Sequence, residues 1–421
     1  MSKLDLEGAR EAPSLASAEW LTRPETKAVF AALGRDGAET RAVGGAVRDA
    51  LLGRAFTEID LATTALPEQV LALAERAGLK AVPTGIEHGT VTLVAGKVPF
   101  EVTTLRRDVE TFGRHAKIAY TKSWEEDARR RDFTLNALYA SQDGQVFDPL
   151  GGFADLAAGR VRFIGAAEDR IKEDFLRILR FFRFHAYYGK GEMDQAGLHA
   201  SVKLRVGLEK LSAERVGGEL KRILTAPGAL GAIEALYDYG LLTELLGGVP
   251  RLGRFERLIA VEDANGMAAS AALRLAALAV FVTEDVERLA RRLRLSNAEQ
   301  DVLALGTAEA MGPALPEEAA AKERLYRLGP ADYRAFVLLA FAGADASPDD
   351  QAWRRALSLP DRWQAPRFPL GGHDVMALGE IEGPDIGAAL KRLEQDWIES
   401  GFGLDREQLL VKARTLMAAR D

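Results

Sequence analysis

Val43-Gly44-Gly45-Ala46-Val47-Arg48-Asp49-Ala50-Leu51-Leu52-Gly53 and then, beyond residue 57, Glu58-Ile59-Asp60-Leu61-Ala62-Thr63 form the stretch on which the fold turns. Thr40 to Val43 reads as a brief strand ended by the two glycines, Ala46 to Leu52 as a helix with Gly53 as its C-cap, and Ile59 to Ala62 as a second strand. Residues two apart on a strand point the same way, so Glu58 and Asp60 present two carboxylates on one face while Ile59 points into a core. Two nearby carboxylates repel unless a cation lies between them. A hard divalent ion such as Mg²⁺ suits that position, because it takes oxygen ligands and polyphosphate together. Gly44-Gly45 lets the backbone approach a phosphate chain, and the helix N-terminus behind it offers free N–H groups. Taken alone, the same residues also read as a structural turn. Arg48 reads either as a phosphate contact or as the partner of Asp49 or Glu58.

Working outward, Pro24 to Leu33 has the spacing of a helix, and Pro67 to Ala77 that of another closed by Gly78. Thr90 to Ala95 and Val98 to Thr104 are strands joined by a tight turn at Gly96-Lys97. Arg106 to Glu126 is polar and irregular, which predicts a mobile loop. Arg131 to Tyr139 predicts a helix and Gln145 to Phe147 a short strand. A small α+β unit therefore ends near Asp148, preceded by a loose leader. Beyond it the chain is helical: a long amphipathic helix spans Asp169 to Tyr188 with room for breaks, another spans Ser212 to Leu224, and Ala/Leu-rich helices fill 228 to 355. The patch from Pro360 to Pro369 marks a further boundary before a last helical unit.

Bulk composition narrows the function classes. A chain of 421 residues accommodates two to four domains. Its net charge of -7, from 55 basic and 62 acidic residues, is not that of a general nucleic-acid coat, although cations gathered on one face could still bind RNA. There is no cysteine, which excludes disulfides, Cys–zinc sites and thiol catalysis. No apolar run is long enough to span a bilayer, so no membrane partner is expected and the cytoplasm is the default location. None of His88, His115 or the isolated His373-Asp374 pair has metal-site spacing.

The glycine turn with its acidic strand resembles the first motif of the class II tRNA nucleotidyltransferases, which bacterial poly(A) polymerases share. Arg130-Arg131-Asp132-Phe133-Thr134-Leu135-Asn136-Ala137-Leu138 is similar to the second motif. Asp148-Pro149 with Gly152 and Asp155-Leu156 resembles the segment leading into the neck. Glu173-Asp174-Phe175-Leu176-Arg177-Ile178-Leu179-Arg180 with Arg183-Phe184 is similar to the nucleotide-reading motif, and Leu211-Ser212-Ala213-Glu214-Arg215 to the last motif of the neck. Order and spacing agree from about residue 40 to 225.

The resemblance implies an α+β fold, with an N-terminal polymerase-β-like nucleotidyltransferase palm followed by a helical neck, body and tail. The expected divisions are a leader at 1–22, a head at 23–150, a neck at 151–225, a body at 226–358 and a tail at 359–421. It further implies template-independent addition of CCA to tRNA 3′ ends from CTP and ATP. Glu58 and Asp60 would be the catalytic metal ligands, holding two Mg²⁺ ions, with Mn²⁺ as an alternative. Glu58 departs from the family, which usually has Asp there, and its longer stem bears on metal geometry. Glu101, on a nearby strand, would support the site. Gly44, Gly45, Arg48, Arg131, Asp132 and Asn136 would contact phosphate and ribose, with Asn136 one helical turn beyond Asp132. The segment from Arg106 to Ala128, with Arg107, Asp108, Gly113 and Arg114, resembles the flexible loop that helps the family switch from C to A.

Asp174 and Arg177, three apart on a helix, would share a face and read the base. Cytosine and adenine both offer an amino group to Asp174, and beside it a ring nitrogen that accepts from Arg177. Uracil and guanine present a carbonyl where the amine should be. Glu173 and Arg180 would hold that pair in place or contact the triphosphate. The alternatives are a poly(A) polymerase, a partial CC-adding or A-adding enzyme, and an RNA-binding protein impaired in catalysis by the Glu58 departure. Sequence leaves the oligomeric state open.

Overall fold

Val91, Leu93 and Ala95 are fully buried while Thr90, Thr92 and Val94 are not, the period-two signature of a strand with one face on a core. The computed structural model describes residues 12–56, 58–112, 115–308, 317–378 and 383–418. In it these residues belong to a seven-stranded sheet. Its strands are β1 (Thr40–Val43), β2 (Ile59–Thr63), β3 (Lys80–Gly85), β4 (Thr90–Ala95), β5 (Val98–Thr104), β8 (Tyr139–Ala140) and β9 (Val146–Phe147). The order across the sheet is β3-β4-β5-β2-β1-β8-β9. Gly96 (φ 54°) and Lys97 (φ 73°) are both left-handed, as a two-residue turn matched to strand twist requires.

Register places the site. β2 pairs antiparallel with β1, Val43 opposite Asp60, and parallel with β5, Asp60 opposite Glu101. The glycine turn that follows Val43 and two carboxylates of neighbouring strands therefore converge at one end of the sheet. The Gly45–Leu51 helix closes with the bonds expected of a glycine just past its end: Gly53 N–H to the Ala50 carbonyl at 3.0 Å and Arg54 N–H to the Asp49 carbonyl at 2.8 Å. Gly78 closes the Pro67–Arg76 helix by the same pattern, bonding Glu75 while Leu79 bonds Ala74.

Four expectations are corrected. Arg106 to Tyr120 is not an irregular loop but an antiparallel hairpin of β6 (Arg106–Phe112) and β7 (His115–Tyr120), with Phe112 opposite His115. The ribbon pairs only with itself, apart from the main sheet. Gly113 and Arg114 lie outside the described residues. Second, Arg131 to Tyr139 is not a helix. The helix is Trp124–Arg129, capped by the Ser123 side chain, and the chain then extends at Phe133 before a 3₁₀ turn at Thr134–Asn136 and β8. Asp132 takes its own neighbour's N–H, from Phe133 at 2.9 Å, a local bond that competes with helix formation.

Third, the room for breaks left over Asp169 to Tyr188 is used once, giving helices Ala167–Glu173 and Leu176–Tyr188, so Asp174 is not on the helix that carries Arg177. Asp174 between them is extended (φ -155°, ψ 108°), and its carboxylate accepts the Leu176 N–H at 3.1 Å. Fourth, the described end of the leader is packed. Leu15, Trp20 and Leu21 are buried, and the Leu15 N–H meets the Gly144 carbonyl at 2.8 Å. The strand β3 was not anticipated, because its residues are mostly half-exposed at the sheet edge.

From Gly152 onward the described elements are helices. Contacts divide the chain into one unit reaching Gly247 with Arg292–Arg294, and a second containing Gly248–Arg291 and the residues from Leu295. The second unit holds an apolar cluster around Leu393, Trp397 and Leu409. Its longest helix, Glu318–Gly343, is kinked at Gly329 (φ 76°) ahead of Pro330, where the proline removes a helix donor. No described helix is long and apolar enough to cross a membrane.

Candidate active site

Gly44 is the residue that the turn demands: at φ 70° and ψ -121° no side chain is tolerated comfortably, and its N–H is held by the Leu138 carbonyl at 3.1 Å. It opens a cleft of 450 Å³ lined by Gly44, Gly45, Arg48, Asp60, Arg130, Arg131, Asp132, Asn136, Asp174, Leu176, Arg177, Arg180, Phe184 and Arg215. Six arginines face three aspartates there, so a chain of negative net charge concentrates cations where a polyphosphate could be drawn in. Of the residues singled out from sequence, Gly44, Gly45, Arg48, Asp60, Arg131, Asp132, Asn136, Asp174, Arg177 and Arg180 all line this one cleft. Glu58, Glu101 and Glu173 do not line it but adjoin it.

Glu58 is exposed just ahead of β2, and Asp60 is half-buried within it. Burial, then the charges of Glu101 and Glu58, push the Asp60 carboxyl up to about 6, with Arg131 offsetting part of the rise. Such oxygen-rich like-charge crowding is what a hard divalent cation relieves, so these residues fit one. Among the described residues, no group of three or more His, Cys, Asp or Glu side chains forms a metal cage. Mg²⁺ fits this arrangement because it keeps waters and shares phosphate oxygens rather than requiring an all-protein cage.

Arg48 makes the partner contacts and still lines the cleft, because a guanidinium carries a second N–H on each terminal nitrogen. Its Nε and Nη2 donate to Asp49 at 3.0 and 3.1 Å, and its Nη1 donates to Asn136 Oδ1 at 2.6 Å. Asn136 in turn donates to Asp132 Oδ1 at 2.8 Å. Arg180 donates to Asp132 Oδ2 through Nε at 2.8 Å and Nη2 at 2.5 Å. Counting the Phe133 N–H, Asp132 accepts two hydrogen bonds on each oxygen, a full complement for a carboxylate. Burial raises its pKa, but Arg180, the Asn136 amide and Arg177 outweigh that and hold the carboxyl at about 2. Asp132 is thus a permanently charged junction between β-rich and helical parts of this unit.

Asp174 and Arg177 do not share a helical face, since Asp174 sits in the break, yet both reach the cleft. Asp174 Oδ2 accepts from Arg215 at 2.7 Å and Oδ1 from the Leu176 N–H, which leaves a lone pair on each oxygen. Arg177 Nη1 is anchored by Glu173 at 2.5 Å and by the Arg170 carbonyl at 2.8 Å. Its position is fixed through one nitrogen, with the others available to a ligand. Glu173 also accepts from Arg170 Nη1 at 2.7 Å, and Arg170 Nη2 grips the carbonyls of Arg130 and Arg131.

Sequence reasoning missed several supports of the cleft. Asp127 is fully buried and accepts from Arg130 at 2.8 Å, Arg131 at 3.0 Å and the Tyr139 hydroxyl at 2.8 Å. Burial raises its carboxyl, but Arg131 and Arg130 outweigh that and hold it at about 2. The spacing of Asp127, Arg130 and Arg131 at i, i+3 and i+4 was the available signal. Arg215 and Phe184 lay within recognised motifs without a role, and nothing local marks Arg170.

Residues 40–162 match the family described as the poly A polymerase head domain, and 192–252 that described as a probable RNA and SrmB-binding site of polymerase A. The chain is 35% identical over 391 residues to the mouse mitochondrial CCA tRNA nucleotidyltransferase 1, covering 88% of this chain and 86% of that protein. It is 30% identical over 383 residues to the CCA-adding enzyme of Latilactobacillus sakei, covering 90% and 94%. The crystal structure of the Bacillus stearothermophilus CCA-adding enzyme in complex with CTP superimposes with a TM-score of 0.73 at 26% identity, over 94% of this chain and 99% of that one.

Proposed function

Because the chain belongs to the class II CCA-adding enzyme family, we propose that it completes tRNA 3′ ends by template-independent addition of C, C and A from CTP and ATP in the cleft described above. The observation that carries this reading is the shared cleft itself, where the acidic strand at Asp60 and the acceptor–donor pair Asp174 and Arg177 face one space. Poly(A) addition uses the same chemistry, but the relatives matched over nearly the whole chain are CCA-adding enzymes.

Glu58 and Asp60 would hold Mg²⁺, two ions as in other nucleotidyl transfers and replaceable by Mn²⁺, which supply activation of the 3′-hydroxyl and neutralisation of the triphosphate. The chain's own residues position the substrates. Arg48, Arg131 and the Gly44-Gly45 backbone receive the triphosphate. Asp132 has its lone pairs in use, so it orients Asn136 and Arg180 rather than taking a ribose hydroxyl. Asp174 accepts from the amino group of C or A, and Arg177 donates to the ring nitrogen beside it. Uracil and guanine leave these half-buried groups unpaired, toward the lower end of about 1–3 kcal/mol each. We assign head, neck, body and tail to residues 23–150, 151–225, 226–358 and 359–421, with a cytoplasmic setting.

The test is product length. Purified protein is given tRNA lacking its CCA end, Mg²⁺, and CTP and ATP singly or together. Three added nucleotides, requiring both triphosphates, are expected. A long A tract would instead identify a poly(A) polymerase, two nucleotides a CC-adding enzyme, one A an A-adding enzyme, and no product with either metal a catalytically impaired RNA-binding protein.

The Glu58 departure gives a second prediction. Glu58 precedes β2 and is exposed, so its extra methylene can be taken up by the loop, whereas Asp60 is locked in the ladder between Val43 and Glu101. Glu58→Asp should stay within about threefold of wild-type turnover with Mg²⁺. Asp60→Glu should lose about 100-fold, the usual consequence of a displacement near 1 Å. Equal losses at the two positions would contradict the asymmetry.

A further inference from the structure

Tyr188 lies outside every motif quoted above, as the last residue of the Leu176–Tyr188 helix. Its ring lies 4.1 Å from the Arg48 guanidinium carbon and 5.1 Å from that of Arg54. Its hydroxyl is near enough to the Asp49 carboxylate to feel its charge. Arg54, just past the glycine-turn helix, donates to the Tyr187 carbonyl at 2.7 Å. Two consecutive tyrosines thus meet three residues at the end of the Gly45–Leu51 helix.

The geometry of Arg48 calls for such a holder. Neighbours on a helix point about 100° apart and do not ordinarily face each other. Yet Arg48 and Asp49 make a two-point contact at 3.0 and 3.1 Å. The Tyr188 ring accounts for it, since it covers the Arg48 guanidinium at 4.1 Å and holds it on the side of the helix where Asp49 lies. In that orientation Arg48 lines the cleft and reaches Asn136, completing a chain of contacts through Asp132 to Arg180.

We propose that Tyr188 is a positioning residue of the nucleotide cleft, setting the Arg48 guanidinium for the incoming triphosphate and tying nucleotide affinity to the seating of the glycine-turn helix on the Leu176–Tyr188 helix. This rests on the reading that Arg48 contacts the nucleotide. Tyr188 is only half-buried, so a shorter apolar side chain there opens little of the core, and the melting temperature checks this.

The experiment compares Tyr188→Leu, Tyr188→Phe, Arg48→Ala and the Tyr188→Leu/Arg48→Ala double variant, by steady-state addition to tRNA with CTP and ATP and by melting temperature. Tyr188→Leu should raise KM for both triphosphates about tenfold with kcat within about twofold of wild type. Tyr188→Phe keeps the ring and should restore KM to within about threefold of wild type. The double variant should match Arg48→Ala alone, because Tyr188 acts through Arg48. A Tyr188→Leu protein with wild-type KM, or losses that add in the double variant, would overturn the proposal while leaving the reading of Arg48 intact. A wild-type KM in Arg48→Ala would remove that reading and the proposal together.

Discussion

Asp60→Ala is expected to lower nucleotide addition on the order of 10³-fold or more while the protein stays folded. Asp60 is the carboxylate that register fixes between the glycine turn and Glu101, so no other side chain can move into its place. The stability consequence has a definite sign. The Asp60 carboxyl rises from 3.8 to about 6 on folding, through burial and the charges of Glu101 and Glu58. A carboxyl raised on folding opposes the folded state once it is ionised. That cost is absent below the ordinary value, grows between the two, and is complete above about pH 6. At about pH 7.5 the metal-free variant is therefore expected to melt at the wild-type temperature or above it. The two proteins should converge in stability as the pH falls towards the ordinary carboxyl range. Normal turnover would sink the site assignment. Lost turnover with a melting temperature several degrees lower would make Asp60 a structural residue.

Arg177→Ala is expected to relax base choice more than it weakens tRNA binding. The guanidinium is held through one nitrogen by Glu173 and the Arg170 carbonyl, which leaves the others to address a base. Removing it deletes the donor that a cytosine or adenine ring nitrogen requires and that uracil cannot use. These groups are half-buried, so each unpaired one costs toward the lower end of about 1–3 kcal/mol, and the preference for CTP over UTP should fall by roughly tenfold. Glu173 keeps Arg170 as a partner at 2.7 Å, so the loss leaves no isolated buried charge and the fold should hold. The measurement is turnover with each of the four triphosphates beside the Kd for tRNA. An unchanged CTP/UTP ratio would remove Arg177 from base reading. A matching loss of tRNA affinity would make it an RNA contact.

Much of this was legible in the residues because the physics is local. Gly96 marked its turn by backbone preference, Gly53 and Gly78 closed their helices, and Glu58-Ile59-Asp60 announced a strand with one acidic face. The motif resemblance then supplied the order of parts. The hairpin of β6 and β7 escaped notice because a ribbon that pairs with itself needs no apolar alternation. The segment after Arg131 misled because Phe133, Leu135 and Leu138 suit a helix or an extended chain equally, and the Asp132 side chain settled the matter against the helix.

What the sequence determined by itself was the kind of chemistry: an acidic strand, a glycine turn, and one acceptor and one donor suited to C and A. What only the tertiary structure decided was which of these groups are free to act. Asp132 is saturated, whereas Asp174, steadied by Arg215 across 41 positions, and Arg48, tied to Asn136 across 88, each keep hydrogen-bonding capacity toward the cleft. A hydrogen bond is satisfied by whichever partner folding brings within about 3 Å, and sequence separation carries no trace of that distance.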